Sequence, residues 1–289
     1  MRRSVKGSAC RCAKAMGGEG TQIVNRKSSI VNPDGFTLIE LLVVISVVAL
    51  LMAVLLPTLG RARKQARAVA CQARLRQWGL VFSMYFDDSD RRYPLAEICR
   101  NDPWWFSPRS YCSGSRDLLL CPMATRYEDN ENDPYRDKDY SLGSKYTTWM
   151  HSISVGTGQA AEETYYGSYG LNYLLDAVDT VGGYTAQTPL LLDCAGSGVM
   201  PRPNDGPPAF DGQLPGGVGA LSHACIDRHQ GGINGLFCGM TVRKIGLKEL
   251  WTLNWHPKWH KYDAMNHWIK ASGVQPEDWP EWMRRFKDY

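Results

Sequence analysis

The chain has 289 residues, 44% hydrophobic and 21% charged, with a formal net charge of +4. That length admits one large domain or two ordinary ones, and a mean hydropathy of −0.34 with one long apolar run excludes a polytopic membrane protein, a collagen and a wholly disordered chain. Residues 1–35 hold seven basic side chains against two acidic ones, so the remainder is close to neutral, has no global field for nucleic acid, and is not expected to bind it.

From Phe36 to Leu56 runs FTLIELLVVISVVALLMAVLL, with Glu40 as its single charge. At roughly 1.5 Å per residue a helix of this length covers roughly 30 Å, the hydrocarbon thickness of a bilayer. A buried core helix would show polar residues at helical spacing. A secretory signal would be shorter and followed by a small-residue cleavage site, whereas here Gly60-Arg61-Ala62-Arg63-Lys64 follows. The run therefore predicts a retained single-pass anchor. A carboxylate within it costs about 2.5–3.5 kcal/mol on insertion scales and calls for a partner or for water at the interface.

The sextet Gly35-Phe36-Thr37-Leu38-Ile39-Glu40 resembles the processing site of type IV prepilins and type II secretion pseudopilins. The resemblance implies cleavage after Gly35 and N-methylation of Phe36 by a prepilin peptidase. It also implies a neighbour's new α-amine as the partner of Glu40, and a helix bent at Pro57, where many pilins carry a proline. Further implied partners are sister subunits, an inner-membrane assembly platform and the bilayer, with the leader inside and the remainder outside. Arg26 and Lys27 lie farther from Gly35 than basic residues in the usual short leader, and a start at Met16 instead of Met1 would shorten it to 20 residues.

Residues 58 to about 86 are predicted to continue the helix, being rich in Ala, Arg, Gln and Leu. Leu59, Ala62, Ala66, Val69, Ala73, Leu80 and Met84 recur at helical spacing, which predicts an apolar face there with Arg61, Lys64, Arg67 and Arg74 on another. Asp87-Asp88-Ser89-Asp90 marks the stop. The organisation expected is thus a leader at 1–35, a transmembrane helix at 36–57, its extracytoplasmic continuation at 58–90 and a head at 91–289.

In the head, Leu118–Leu120, Tyr165–Tyr169, Leu190–Leu192, Asn234–Cys238 and Thr241–Ile245 read as short strands. Tyr127–Asp139 and Met200–Gly219 read as loops. Leu247–Leu253 reads as a short amphipathic helix. The tail from Asn254 holds five of the ten Trp, as core filler or, in a rival reading, as a contact for polysaccharide. The fold class expected is α+β and pilin-like: the long N-terminal helix packed on a small antiparallel-sheet head with long loops.

Arg228-His229-Gln230-Gly231-Gly232-Ile233-Asn234-Gly235-Leu236-Phe237 is similar to the C-terminal signature of large pseudopilin-like proteins of planctomycete-type bacteria, which marks His229, Gly231, Gly232, Asn234 and Phe237. That family continues with Asp-Gly-His-Val one residue on, whereas this chain has Gly239 and Met240 in place of the Asp and Gly. Leu120-Cys121-Pro122-Met123-Ala124 and Tyr169-Gly170-Leu171-Asn172 look like the same group.

His223, Cys225, Asp227 and His229 could ligate metal, yet their spacing matches no structural zinc pattern, so no metal residue is assigned. Glu128–Asp133 offers oxygen ligands for calcium without the central Gly of a sharp turn; apart from that, no cofactor is expected. No nucleophile elbow, Walker loop or dinucleotide fingerprint occurs, and no enzymatic activity is expected. Cys99, Cys112, Cys121, Cys194, Cys225 and Cys238 could form disulfides of open connectivity outside the cytoplasm. The function expected is a structural subunit assembling through its apolar helix into a pilus or secretion pseudopilus; the alternative is a membrane-anchored polysaccharide-binding or hydrolytic protein.

Overall fold

A computed structural model describes residues 36–90, 92–93, 104–105, 108–112, 115–124, 142–155, 161–175, 184–213, 221–259 and 266–289. Gly35 with the rest of the leader, Cys99, the acidic 127–139 segment and residues 214–219 lie outside the described residues. The chain divides into two compact units, Met1–Ala53 and Val54–Tyr289.

Helix α1 spans Leu38–Asp88. Thr37 sets its start: the Thr37 hydroxyl accepts from the Glu40 amide at 3.2 Å, while the Thr37 amide and hydroxyl donate to Glu40 Oε2 at 2.9 and 2.8 Å. This reciprocal arrangement satisfies two of the donors that every helix start leaves free. In the first unit every described side chain, Phe36 to Ala53, is exposed.

In the second unit Pro57 sits inside α1 without ending it. The neighbouring Thr58 hydroxyl donates back to the Leu55 carbonyl at 2.8 Å. Beyond Ala68 one face of the helix becomes core. Cys71, Leu75, Trp78, Phe82 and Phe86 are buried, at the spacing of four and three that keeps residues on one side.

That is the opposite face from the one expected. Leu59, Ala62, Ala66, Val69, Ala73, Leu80 and Met84 are all exposed. The physical reason is that α1 carries two apolar stripes, and the bulkier aromatic one offers more area to bury. With apolar residues on both sides, no single amphipathic direction exists for periodicity to find.

The head contains a hairpin and a five-stranded sheet. β1 (Trp149–Val155) pairs antiparallel with β2 (Ala161–Gly167). β3 (Tyr169–Asn172), β4 (Pro189–Asp193), β5 (Gly198–Val199), β6 (Gly232–Phe237) and β7 (Val242–Gly246) form the sheet in the order β5-β3-β4-β6-β7. It is antiparallel except for the short β3–β5 pair.

Strands β3, β4 and β6 are buried at every position, because both faces of the sheet are covered. One core joins the α1 aromatic face to Tyr169, Leu171, Leu190, Leu191 and Leu236. The other joins Leu192, Ile233, Phe237 and Ile245 to the segment from Leu221 onward and to the C-terminal tail. The architecture is α+β, a long apolar N-terminal helix and a sheet-containing head.

Four of the five expected strands coincide with strands. The fifth, Leu118–Leu120, does not: Arg116–Leu119 is a 3₁₀ turn. Its carbonyls are taken by side chains and by a strand break instead of a ladder. Trp78 Nε1 donates to the Leu118 carbonyl at 2.8 Å, Arg74 donates to that of Leu120, and the Ser168 amide donates to that of Leu119 at 2.9 Å. Tyr165–Tyr169 is also interrupted, at Ser168, where the chain passes from β2 to β3. The segment Lys248–Thr252 is 3₁₀, not α.

Candidate functional site

Two regions carry the residues singled out by sequence. In the stem, Phe36 is 73% exposed and begins a run of bare apolar side chains through Leu56. Such a run has no stable place in water, and its length suits a bilayer. Glu40, the one charge in it, closes the helix-capping pair with Thr37, a local role that the sequence reading did not assign.

The second region is in the head, where the C-terminal motif meets α1. Asn234 ties strand β6 to the helix: its Nδ2 donates to the Ala68 carbonyl at 3.2 Å and its Oδ1 accepts from Gln72 at 3.1 Å. Gly231 has φ of +84°, a left-handed conformation that suits a residue without Cβ. Phe237 lies in the second core with the Arg243 guanidinium 4.5 Å above its ring. Met240 has a left-handed φ of +56°.

His229 enters a fully buried cluster. Its Nε2 lies 3.0 Å from Asp193 Oδ2 and 3.4 Å from Cys121 Sγ. Cys71 Sγ, presented by α1, lies 3.6 Å from Asp193 Oδ2. Asp193 ends β4, and Cys121 follows the 3₁₀ turn that α1 holds in place. Around these four stand fixed donors. The Asn234 amide donates to Asp193 Oδ2 at 2.9 Å, the Tyr169 hydroxyl to Cys71 Sγ at 3.3 Å, and the Met123 amide to Cys121 Sγ at 3.5 Å.

Arg228, also buried, donates to Asp193 Oδ1 at 3.3 Å and to the carbonyls of Ser168, Ser144 and Lys145 at 2.8, 2.7 and 3.1 Å. Its planar fork thereby satisfies three loop carbonyls and one carboxylate at once.

Burial works against each charge here, and the neighbours decide the outcome. Burial would push the Asp193 carboxyl up, but His229, Arg228 and the Asn234 amide outweigh it and bring it down to about 2. Burial would push His229 down, but Asp193, with Cys121, raises it to about 9. Burial pushes the Cys71 thiol well up, with Cys121 and Asp193 adding to the rise. Cys121, which burial would also raise, is brought down to about 7 by Cys71, His229 and Arg228. The cluster holds separated charge with a single low thiol. His229 Nδ1 is buried with no partner among the described residues.

Of the four clustered ligand candidates at 223–229, only His229 joins this centre. Asp227 instead faces Lys145 and Arg285, each at 3.6 Å, and Cys225 and His223 are buried elsewhere in the second core or beside it. Cys71, Cys121, Asp193 and Arg228 had not been grouped by sequence. The described cysteines, Cys71, Cys112, Cys121, Cys194, Cys225 and Cys238, are all free thiols. The Trp side chains of the tail are buried or half-buried. Trp251 and Trp279 stack edge to face, and Trp282 Nε1 donates to the Pro208 carbonyl at 2.9 Å. They fill a core and present no flat exposed ring.

Among the described residues one helix is long and apolar enough to cross a membrane, and residues 32–56 match the family described as "Prokaryotic N-terminal methylation motif". Among curated proteins, the chain is similar to the type IV wide pilus major component PilA4 of Thermus thermophilus, 46% identical over 59 residues. Those residues are 20% of this chain and 45% of that protein, so the chain spans under half the length of the relative it matches. No solved structure matches. Both likenesses lie in the N-terminal segment, whose long apolar helix fits a membrane-anchored or pilus-associated protein.

Proposed function

We propose that the chain is a pilin-like structural subunit, cleaved between Gly35 and Phe36 and N-methylated at Phe36, that assembles through α1 into a pilus or secretion pseudopilus. The observation that carries this reading is the stem: the methylation motif over residues 32–56 begins an apolar helix exposed on every side. A bilayer covers such a surface before assembly, and a bundle of like helices covers it afterwards. The opposite-facing stripe of Leu59, Ala62, Ala66, Val69, Ala73, Leu80 and Met84 extends the exposed apolar surface past Pro57. Its small residues suit close helix contact. In this reading the protein resides in the inner membrane with the head outside the cytoplasm, and its partners are a prepilin peptidase, an assembly platform and sister subunits. Its role is structural, not enzymatic.

Mass spectrometry of the membrane-extracted protein tests it. The mature N-terminus is expected at Phe36, heavier by one methyl group, and replacing Gly35 should leave the leader attached. An intact leader in cells with an active prepilin peptidase would overturn the proposal.

A further inference from the structure

We propose that Cys71, Cys121, Asp193 and His229 form a binding site for one thiophilic divalent cation, zinc by its chemistry, which fastens helix α1 to the sheet. The donor atoms, Cys71 Sγ, Cys121 Sγ, an Asp193 carboxylate oxygen and His229 Nε2, all lie within 4.8 Å of one another and all four residues are buried. A tetrahedral zinc site with bonds of about 2.0–2.3 Å has ligand-to-ligand edges of about 3.3–3.8 Å. Three contacts, at 3.0, 3.4 and 3.6 Å, are already near that range, and the widest must close by about 1 Å.

Charge argues the same way. On binding, the cation would displace the thiol protons of Cys71 and Cys121 and the Nε2 proton of His229; the two thiolates and the Asp193 carboxylate, with the buried Arg228 guanidinium, then sum to two negative charges. A divalent cation brings that sum to zero. Two sulfurs, one imidazole and one carboxylate favour zinc over the hard cations, which take oxygen.

The surroundings are those of a built site. The Met123 amide points at Cys121 Sγ, the Tyr169 hydroxyl at Cys71 Sγ, and Arg228 and the Asn234 amide hold the two carboxylate oxygens. Such outer contacts orient ligands before the ion arrives. A cleft of about 560 Å³ lined by His229, Asn234 and Gln72 reaches the cluster at His229. The four ligands come from the helix, the turn after residue 119, the end of β4 and the start of the C-terminal motif. The ion would therefore cross-link pieces far apart in sequence, whether or not the chain enters a fibre.

The test uses the full chain in detergent micelles, purified with a non-chelating phosphine reductant. After incubation with excess zinc and gel filtration, elemental analysis should give about one zinc per chain. Titrating two thiols with an organomercurial should release it. Cobalt in place of zinc should show thiolate-to-cobalt charge-transfer absorption in the near ultraviolet. Tyr169→Phe, which removes only a hydroxyl contact to Cys71, should weaken zinc binding about 10-fold, and Cys121→Ser should abolish the charge-transfer intensity contributed by its sulfur. Zinc well below one per chain in protein of unchanged circular dichroism would overturn the site. So would a cobalt complex without thiolate absorption, or a Cys71–Cys121 disulfide in protein isolated from its native compartment.

Discussion

Arg228 shows how much one buried side chain can organise. It spans loop carbonyls at Ser144, Lys145 and Ser168 as well as the Asp193 carboxylate, with no exposure on its side chain. Removing one member of a buried pair strands the other charge, at a cost of about 3–5 kcal/mol. Arg228→Met, which keeps much of the volume, is therefore expected to lower unfolding stability by about 3–5 kcal/mol, measured by urea unfolding of the full chain in detergent. A loss below about 1 kcal/mol would show that the guanidinium does not compensate Asp193. Arg228, His229 and Asn234 stand in one contiguous motif that the sequence singles out only by resemblance. Arg228's role was not legible, since its acceptors lie 35 to 84 positions away. The Cys71, Cys121, Asp193 and His229 grouping was hidden for the same reason: a ligand spacing rule sees short separations, and only the fold brings these residues together.

At the scale of elements, α1 decides most of what is unusual. Its extent was legible from the apolar run, the helix formers that follow Pro57 and the acidic cluster that stops it, whereas the Thr37–Glu40 cap at its start was not read. The face it buries was not legible, because two apolar stripes compete and only packing against the sheet selects Cys71, Leu75, Trp78, Phe82 and Phe86. Trp78 anchors that choice, in edge-to-face contact with Trp104 at 5.1 Å and bonded through Nε1 to the Leu118 carbonyl. Trp78→Ala is expected to destabilise the head by about 3–5 kcal/mol, whereas Leu80→Ala, on the exposed stripe, should change stability by under about 0.5 kcal/mol. Thermal or urea unfolding of the two variants, read by far-ultraviolet circular dichroism, distinguishes the faces; equal losses would mean that both stripes are buried. The turn at Arg116–Leu119 follows from the same packing. Its apolar Leu run has strand character, but α1 side chains occupy the carbonyls that a ladder would need.

For the whole molecule, the question is what Glu40 does for a stem otherwise without charge. Two roles compete. The capping pair with Thr37 is local and serves the single chain; an attraction to a neighbour's terminal amine would be made only in the assembly. Glutamine separates them, because it can close the same capping box through its side-chain oxygen while carrying no charge. If capping is the role, Glu40→Gln should assemble like the parent chain and only Glu40→Ala should fail. If charge compensation drives incorporation, both variants should be processed, remain in the membrane and fail to enter fibres. The second outcome is expected. A carboxylate retained in hydrocarbon at a cost of about 2.5–3.5 kcal/mol exceeds what a cap returns, about 1 kcal/mol, so the cap alone does not account for an ionised group there. Separating sheared fibres from membranes by sedimentation, and measuring the fraction of chain in each, decides between them. Wild-type incorporation of Glu40→Gln would remove the amine contact from the assembly mechanism and leave the stem to associate by apolar packing alone.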